Sequence, residues 1–326
     1  MSKNRIMQHL ENGDLREHVL DTSTWMDYLD GSTKLSGIVM PGSHDAGMSQ
    51  TDHCGAGAQL NRGIIQTQTL NIQQQLEAGS RYFDLRVDYD YGELVTYHRT
   101  GDAGGNGQSL AAVLDQSLKF IQSHQSETFI LKFSHIRTNR NKERDIKDRI
   151  DEFLADIKYR AYLFTQSKSD VNLAKIALND CRGKIILVFD YPEHISARAA
   201  RFRYHDGFSR DSSGAELVGY GGPNITVCDS YSNTTSLEKM KHDQLKKLDA
   251  YGGLDKDYFF LLSWTLTPNI DTFFKGSVKE LAEVANLALE EVLKERISEP
   301  HKPKPNIVYI DCLNAKTTQS IIQCNF

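Results

Sequence analysis

Short apolar runs recur along the chain and alternate with longer stretches in which apolar residues return every three or four positions. Runs such as KIILVFD and NIVYID are almost continuously apolar, which is typical of parallel strands that are buried on both faces. Turn residues bound these runs. We predict β-strands at Ser36–Met40, Arg81–Val87, Glu93–His98, Thr128–His135, Lys184–Asp190, Asn224–Asp229, Tyr258–Thr265 and Asn306–Asp311.

Helical periodicity separates most of these strands. Strands that alternate with helices predict a distorted (β/α)₈ TIM-type barrel with one or two helices missing. A doubly wound open sheet is the alternative. The segments from Arg86 to His98 and from Asp190 to Asn224 lack a helical pattern, and the polar stretch Arg201–Gly222 predicts a long loop. The predicted helices are Leu70–Ala78, Ser109–His124, Arg140–Ile157, Ser236–Ala250 and Val278–Lys294.

Composition indicates an ordinary globular protein. The chain has 326 residues, 39% of them hydrophobic and 25% charged, and neither a repeat nor a linker divides it. We therefore predict a single domain over residues 1–326. The cysteines are odd in number and form no CxxC pair, which disfavours a disulfide framework and a structural zinc site. They are Cys54, Cys181, Cys228, Cys312 and Cys324.

Charge and hydropathy restrict the partners. A net charge of −5 gives no reason to expect nucleic acid and disfavours strong electrostatic docking on an anionic membrane. No apolar run has the length of a transmembrane segment, and Met1–Asp30 lacks the apolar core of a secretory signal peptide. We expect a chain that is cytosolic, already processed, or exported by another route. The oligomeric state is left open.

The barrel prediction locates the chemistry, because residues at the C-terminal ends of barrel strands converge on one mouth. Three polar clusters follow predicted strands: PGSHDAG with His44 and Asp45, GSRYFDLRV with Asp84 and Arg86, and YHRTG with His98. Strand alternation places Asp84 and Arg86 on one face. Taken singly, each cluster is explained by a hydrogen-bonded histidine or a buried ion pair. Together they provide two imidazoles and a guanidinium.

This set of side chains suits the cleavage of a phosphodiester that has a neighbouring hydroxyl. One imidazole removes the hydroxyl proton, and the other protonates the leaving oxygen. A guanidinium neutralises the charge that develops on the phosphoryl oxygens. Carboxylates behind the histidines set their tautomer and orientation.

The order PGSHDAG, GSRYFDLRV, YHRTG and ETFILKFS resembles the X-domain of phosphatidylinositol-specific phospholipase C, and its bacterial, metal-independent branch most closely. The similarity continues through RGKIILVFDYP, ITVCDSY, FFLLSWTLTP and NIVYIDCLN, so that it covers most of the chain after Trp25. The resemblance implies a distorted TIM barrel. It also implies an enzyme that acts transiently at a membrane surface on an inositol phospholipid, giving diacylglycerol and a cyclic inositol phosphate.

The resemblance also implies roles for matched residues. His44 matches the general base, and Asp311 matches the carboxylate that orients it. His98 matches the general acid, with Asp45 as its partner.

The remaining matches concern the phosphate and the head group. Arg86 matches the arginine that stabilises the phosphate, and Asp84 accompanies it on the same strand. Asp229 and Tyr231 match inositol-contacting positions, a polar hydrogen-bonding group and an aromatic platform.

Two positions depart from the pattern of the bacterial relatives. Ser134 stands where they usually carry lysine, and Asp190 lies where a basic head-group contact is expected. Both positions are predicted to contact substrate. We therefore expect a head group other than plain phosphatidylinositol, or several, with polyphosphorylated inositides as poor substrates.

Neither a metal nor a cofactor is predicted, since Arg86 beside Asp84 disfavours a calcium site. Two alternatives stay open. A metal-dependent glycerophosphodiester phosphodiesterase would need a cluster of acidic ligands. A non-catalytic module would bind the lipid head group without turnover.

Overall fold

The computed structural model describes residues 20–326 except 56–57, 60, 101–102, 138–142, 211–215, 220–221, 269–275 and 300. The strands of this part of the chain are β1 (Met40–Ser43), β2 (Tyr82–Asp90), β3 (Glu93–Thr100), β4 (Ala103–Ser109), β5 (Thr128–Ser134), β6 (Lys184–Phe189), β7 (Phe202–Asp206), β8 (Phe208–Arg210), β9 (Glu216–Val218), β10 (Ile225–Asp229), β11 (Phe259–Ser263) and β12 (Ile307–Ile310).

Strands β1, β2, β5, β6, β7, β10, β11 and β12 pair in parallel in that order, and β1 also pairs with β12. The sheet therefore closes on itself as a barrel with no free edge. This confirms the predicted TIM-type barrel and rules out the doubly wound open sheet. Strands β3 and β4 extend β2 outside the barrel as an antiparallel hairpin, and β8 pairs with β9 separately.

Helices pack against the outside of the barrel. They are α1 (Ile72–Glu77), α2 (Leu110–Ser123), α3 (Glu143–Leu154), α4 (Ile157–Arg160), α5 (Leu178–Cys181), α6 (Leu237–Tyr251), α7 (Val278–Ser298) and α8 (Ala315–Ile322). In the described residues, the crossovers from β6 to β7 and from β7 to β10 contain no α-helix, which agrees with the prediction that one or two are missing. No helix of the described residues is both long and apolar enough to cross a bilayer.

Alternation along each strand separates the barrel interior from the outer core. On β2, Tyr82 packs inside the barrel, whereas Phe83 and Leu85 pack outwards against α2. The same parity holds on β5, where Ile130 faces inwards and Leu131 outwards. Consequently, polar residues on the inward parity meet at the ends of the strands.

Two predicted elements were wrong, and a third is a strand as predicted but lies outside the barrel. The stretch Glu93–His98 forms antiparallel β3, which lies outside the barrel. The missing barrel strand is β7, inside the stretch Arg201–Gly222 that we expected to be a loop; its Phe202 and Tyr204 fill the interior. The first strand starts at Met40 rather than Ser36, because Leu35–Gly37 forms a 3₁₀ turn.

The glycines of β4 let its hairpin lie against the loop that follows β1. A Cβ on Gly107 would come within 2.4 Å of the carbonyl oxygen of Gly47. The backbone N–H of Gln108 donates to that same oxygen at 2.9 Å. Close packing of the hairpin therefore places β3, and His98 with it, beside the loop that contains Asp45.

Candidate active site

His44 and Asp311 face each other at the ends of adjacent strands. Because Ser43 of β1 is in register with Ile310 of β12, the next residue of each strand has the same inward parity. His44 Nδ1 lies 2.8 Å from Asp311 Oδ1, so the ring donates its Nδ1 proton to the carboxylate. The other ring nitrogen, Nε2, faces the mouth. Asp311 thus lies where the sequence predicted the orienting carboxylate.

Asp45 is the carboxylate shared by the predicted catalytic groups. Its side chain is fully buried, and its Oδ1 lies 2.5 Å from Arg86 Nε. Its Oδ2 lies 3.5 Å from His44 Nε2 and 3.9 Å from His98 Nε2. The predicted pairing with His98 therefore has the longest of these distances, and Arg86 is the nearest partner.

His98 reaches the mouth by a route that the sequence did not predict. Beyond Arg86, β2 projects from the barrel and pairs with β3, with Val87 opposite Thr96. Strand β3 then runs back towards the mouth and delivers His98 beside Arg86. His98 Nδ1 lies 3.2 Å from the carbonyl oxygen of Ile65, which leaves Nε2 directed at Asp45. The side chains of His44 and His98 are 20% and 24% exposed, so substrate can reach both.

The two imidazoles differ in proton affinity. Burial lowers the pKa of His44, but the carboxylates of Asp45 and Asp311 outweigh burial and raise the pKa to about 9. Burial lowers the pKa of His98 below its ordinary value, and Asp45 offsets this only in part because Arg86 and His44 repel the imidazolium. In the free site, His44 therefore binds a proton more tightly than His98.

Arg86 stands between the histidines as a fixed cation. Its Nη2 lies 3.4 Å from His44 Nε2. Burial lowers the pKa of the guanidinium, but the carboxylates of Asp45 and Asp84 outweigh burial, and the pKa of Arg86 is raised above its ordinary value. Arg86 therefore stays charged at every working pH.

Asp84 lies one layer below the mouth and has several partners. Its Oδ1 accepts a hydrogen bond from Ser134 Oγ at 2.8 Å, and its Oδ2 accepts one from Tyr309 Oη at 2.9 Å. Arg86 Nε is 3.8 Å away. Burial raises the pKa of Asp84, but Lys132 and Arg86 outweigh it and hold the pKa below its usual range. Asp84 is thus a permanent anion that supports Arg86 from below.

Lys132 is a functional candidate that our sequence analysis missed. Its ammonium lies 3.4 Å from Asp84 Oδ1, 3.3 Å from Asp229 Oδ2 and 4.5 Å from the centre of the Tyr204 ring. Tyr204 Oη also donates to Asp229 Oδ2 at 3.2 Å. Lys132 has the same inward parity as Ser134 and precedes it by two residues, which was the signal available in ETFILKFS. The lysine therefore connects the reaction centre to the predicted head-group position Asp229.

The other predicted head-group residues have different environments. Ser134 is fully buried and bonds to Asp84, so its hydroxyl orients a carboxylate. Asp190 accepts the backbone N–H of His135 at 3.0 Å, and burial raises its pKa. Tyr231 is 60% exposed. Direct contact of these residues with substrate stays a prediction.

A basic group also lies near Asp190, on the adjacent strand β7. Burial lowers the pKa of Arg203, and the carboxylates of Asp190 and Glu193 oppose that effect. Its Nη1 donates to the carbonyl oxygen of Phe189 at 2.8 Å, at the end of β6. Arg203 therefore lies close enough to Asp190 to interact with its charge, but from the outward parity of β7.

Trp264, which the sequence places at the end of a strand, belongs to the outer core. Its Nε1 donates to the carbonyl oxygen of Ala285 on α7 at 2.7 Å, and none of its surface is exposed.

Over the ranges that the structure describes, histidine, cysteine and acidic side chains form no cluster of three or more suited to a metal ion.

Sequence comparison identifies relatives of the chain. It is 29% identical to the 1-phosphatidylinositol phosphodiesterase of Listeria monocytogenes over 224 residues, which cover 68% of this chain and 61% of that protein. It is 26% identical to human PI-PLC X domain-containing protein 3 over 324 residues, covering 90% of this chain and 89% of the human protein. No family model matches the chain.

Comparison with solved structures finds the same kind of protein. The phosphatidylinositol-specific phospholipase C from Listeria monocytogenes superposes with a TM-score of 0.62 at 22% identity, covering 94% of this chain and 99% of that chain. This chain is similar in sequence to a 1-phosphatidylinositol phosphodiesterase, and in fold to phosphatidylinositol-specific phospholipases C. A Staphylococcus aureus phosphatidylinositol-specific phospholipase C, the F249X mutant, superposes with a TM-score of 0.66 at 18% identity over the same shares.

The recognition made from the sequence motifs is thereby confirmed, and so is the barrel. The roles of the individual residues at the barrel mouth stay predictions. Their geometry is the basis for the function that follows.

Proposed function

We propose that this protein cleaves an inositol phospholipid or a related glycolipid at a membrane surface. A hydroxyl next to the phosphate attacks phosphorus, the bond from phosphorus to the glycerol oxygen breaks, and diacylglycerol and a cyclic inositol phosphate form. The observation that supports this most strongly is the arrangement around Asp45. The Nε2 atoms of His44 and His98 both face one carboxylate oxygen of Asp45, and Arg86 binds the other.

His44 is the proposed general base. Its Nδ1 proton is held by Asp311, so the neutral ring presents an Nε2 lone pair to the mouth. When Nε2 takes the hydroxyl proton, Asp311 and Asp45 stabilise the imidazolium that forms, which is the effect that raises the pKa of His44 in the free site.

His98 is the proposed general acid. Its Nε2 faces Asp45 across the mouth from His44, and its imidazolium can deliver a proton to the leaving glycerol oxygen. A bound phosphate adds negative charge beside the ring and favours the protonated form that this step needs.

Arg86 is the proposed electrostatic catalyst. Phosphoryl transfer places negative charge on the non-bridging oxygens, and a planar guanidinium meets two of them with paired hydrogen bonds. Asp45 and Asp84 hold the guanidinium in place before substrate binds, so it needs little reorganisation during the reaction.

The pH dependence follows from these assignments. The base must lose its proton and the acid must keep one, although in the free site His44 has a pKa of about 9 and that of His98 is lowered. Only a minor fraction of molecules has both groups in the working state. We expect kcat/KM to be highest between the two pKa values and to fall on either side.

The test uses vesicles that contain phosphatidylinositol, in buffer with EDTA, and measures the release of diacylglycerol. Wild type should turn over, and His44→Gln and His98→Gln should each lose about 10²-fold to 10⁴-fold in rate. The matched control is His205→Gln. His205 lies on the outward parity of β7, where its Nε2 contacts the carbonyl oxygen of Pro223.

Each outcome separates the candidates. Turnover in EDTA that disappears in both histidine variants but not in the control supports the proposal. Activity that EDTA removes and a divalent ion restores would indicate a metal-dependent phosphodiesterase. Vesicle binding without turnover would indicate a non-catalytic head-group module.

A further inference from the structure

We propose that Gln68 is a positioning residue that holds the two strand ends carrying His44 and Asp311 in catalytic alignment. The consequence for turnover rests on the proposed function. Gln68 belongs to the loop between β1 and α1, touches neither reacting group with its side chain, and is completely buried.

The amide of Gln68 joins both strand ends. Its Nε2 donates to the carbonyl oxygen of His44 at 2.9 Å and to that of Ile310 at 3.1 Å. Its Oε1 accepts the backbone N–H of Leu313 at 3.0 Å. One side chain therefore bonds the residue after β1, the last residue of β12 and the turn beyond it.

This pattern also determines the orientation of the amide. If the nitrogen and oxygen were exchanged, the oxygen would face two carbonyl oxygens and the NH₂ group would face an N–H. An oxygen-only side chain at residue 68 would create the same conflict with the carbonyl groups of His44 and Ile310.

Thr67 adds two bonds to the same pair of turns. Its Oγ1 donates to the carbonyl oxygen of Asp45 at 2.9 Å, and its own carbonyl oxygen accepts the N–H of Cys312 at 2.7 Å. The segment Thr67–Gln68 thus holds the backbone on both sides of the His44–Asp311 contact.

The turns that this segment holds have unfavourable backbone conformations. Asp45 and Cys312 have φ values of +39° and +46°, in the left-handed region that residues other than glycine rarely adopt. Such a conformation persists when surrounding bonds over-determine it, and it is concentrated at functional sites. Without Gln68, the turns are free to relax, and the 2.8 Å bond between His44 and Asp311 loses its alignment.

A buried amide that joins two strands could instead serve stability alone. Asn306 provides the matched control, because its amide joins β11 to the 3₁₀ turn Leu35–Gly37 at the opposite end of the barrel. It is completely buried, its Oδ1 accepts the N–H of Phe260 at 2.8 Å, and its Nδ2 donates to the carbonyl oxygen of Ser36 at 2.6 Å. In barrels of this type the active site lies at the other, C-terminal face.

The experiment compares two variants, Gln68→Met and Asn306→Leu. In each, an apolar side chain of similar shape replaces the amide. Thermal unfolding, kcat and KM on a soluble inositol phosphodiester, and the downfield ring N–H resonance of His44 are measured for both. His44→Gln assigns that resonance by removing it. A second variant, Gln68→Glu, keeps the acceptor for Leu313 but loses both donors.

We expect both amide variants to melt at lower temperature than wild type. Only the Gln68 variants should lose or shift the His44 ring resonance, and their kcat should fall about 10-fold to 100-fold with little change in KM, because small misplacements of catalytic groups have effects of this size. Asn306→Leu should keep the resonance and kcat at the wild-type level.

The proposal is overturned if the folded Gln68 variants keep both the resonance and kcat, or if Asn306→Leu loses them to the same extent. Failure of both Gln68 variants to fold would also count against it, in favour of a purely structural role. The ring resonance does not require turnover. If wild type shows the resonance but cleaves no inositol phosphodiester, the proposed function is refuted. The resonance of the variants would still show whether Gln68 positions His44.

Discussion

Replacing Asp311 by asparagine tests whether the carboxylate of Asp311 raises the pKa of His44 in the free enzyme. The amide oxygen of asparagine can still accept from His44 Nδ1, so the geometry survives while one negative charge is removed. The charged and titratable groups around His44 are Asp45, Asp84, Arg86, His98, Tyr309 and Asp311.

The magnitude follows from the balance of these groups. The pKa of His44 rises from its ordinary 6.5 to about 9 against the opposing effects of burial and Arg86, which corresponds to about 3 kcal/mol of net stabilisation of the imidazolium. Asp311 is one of the two carboxylates responsible, and it is the one that makes the hydrogen bond. In Asp311→Asn we expect the pKa to fall to roughly 7, a loss of about 2–3 kcal/mol.

The same shift makes stability depend on pH. A group whose pKa is higher in the folded state stabilises the protein fully below its unfolded pKa, near 6.5, and this contribution is lost as pH rises towards 9. Wild type should therefore lose up to about 3 kcal/mol between pH 6 and pH 10 relative to His44→Gln, measured by denaturant unfolding.

The assay for the proton is a histidine-resolved NMR titration of wild type and Asp311→Asn. Asp243→Asn, which removes a carboxylate bonded to Ser232 and Lys247, is the control and should leave His44 unchanged. Titration of His44 at or below 6.5 in wild type, or the same midpoint in Asp311→Asn, would refute the reasoning.

Three further predictions concern the cations and the head group. Arg86→Lys should lower kcat on phosphatidylinositol in EDTA at least about 10-fold, since an ammonium cannot replace the paired hydrogen bonds. Its loss of stability should be smaller than that of Arg86→Ala. Equal kcat in wild type and Arg86→Lys would contradict this. Lys132→Met should cost about 3–5 kcal/mol of unfolding free energy at pH 7, because Asp84 and Asp229 lose their shared cation. The loss should be smaller at pH 4, because burial raises the pKa of Asp84 once the lysine that lowers it is gone. Equal losses at both pH values in urea titrations would argue against that ion network. Bisphosphorylated inositide should be cleaved more slowly than phosphatidylinositol, because Asp190 repels added phosphates; a competition assay in mixed vesicles that favours the bisphosphorylated lipid would reject this.

The alternation of residues along strands was enough to predict most of the site. Asp84 and Arg86 were placed on the inward face of β2, and His44 and Asp311 at strand ends, because parity and chain order determine which side chains meet at a barrel mouth. Lys132 followed from the same rule and was missed because we compared only position 134 with the bacterial pattern.

The errors in the strand assignment have a physical origin. Barrel strands β5 and β6 are covered by helices and are almost completely buried. Strand β7 has no helix in the described crossovers on either side and leaves Arg203 and His205 partly exposed. Its alternating FRYHD therefore had the pattern of a polar loop. Glu93–His98 was taken as a barrel strand because local pattern does not distinguish a strand of the barrel from an antiparallel extension.

Long-range pairing explains the remaining differences. The approach of His98 depends on the β3–β4 hairpin folding against the loop after β1, and the shared use of Asp45 depends on three segments meeting at one point. Neither arrangement leaves a periodic signal in the chain.

Phosphorus NMR of the products formed from phosphatidylinositol in EDTA tests the central claim most directly. Attack by the neighbouring hydroxyl predicts a cyclic phosphodiester as the first phosphorus-containing product in wild type, and none with His44→Gln. A non-cyclic phosphomonoester as the first product, or no product from any inositol phospholipid or glycolipid, would contradict the account.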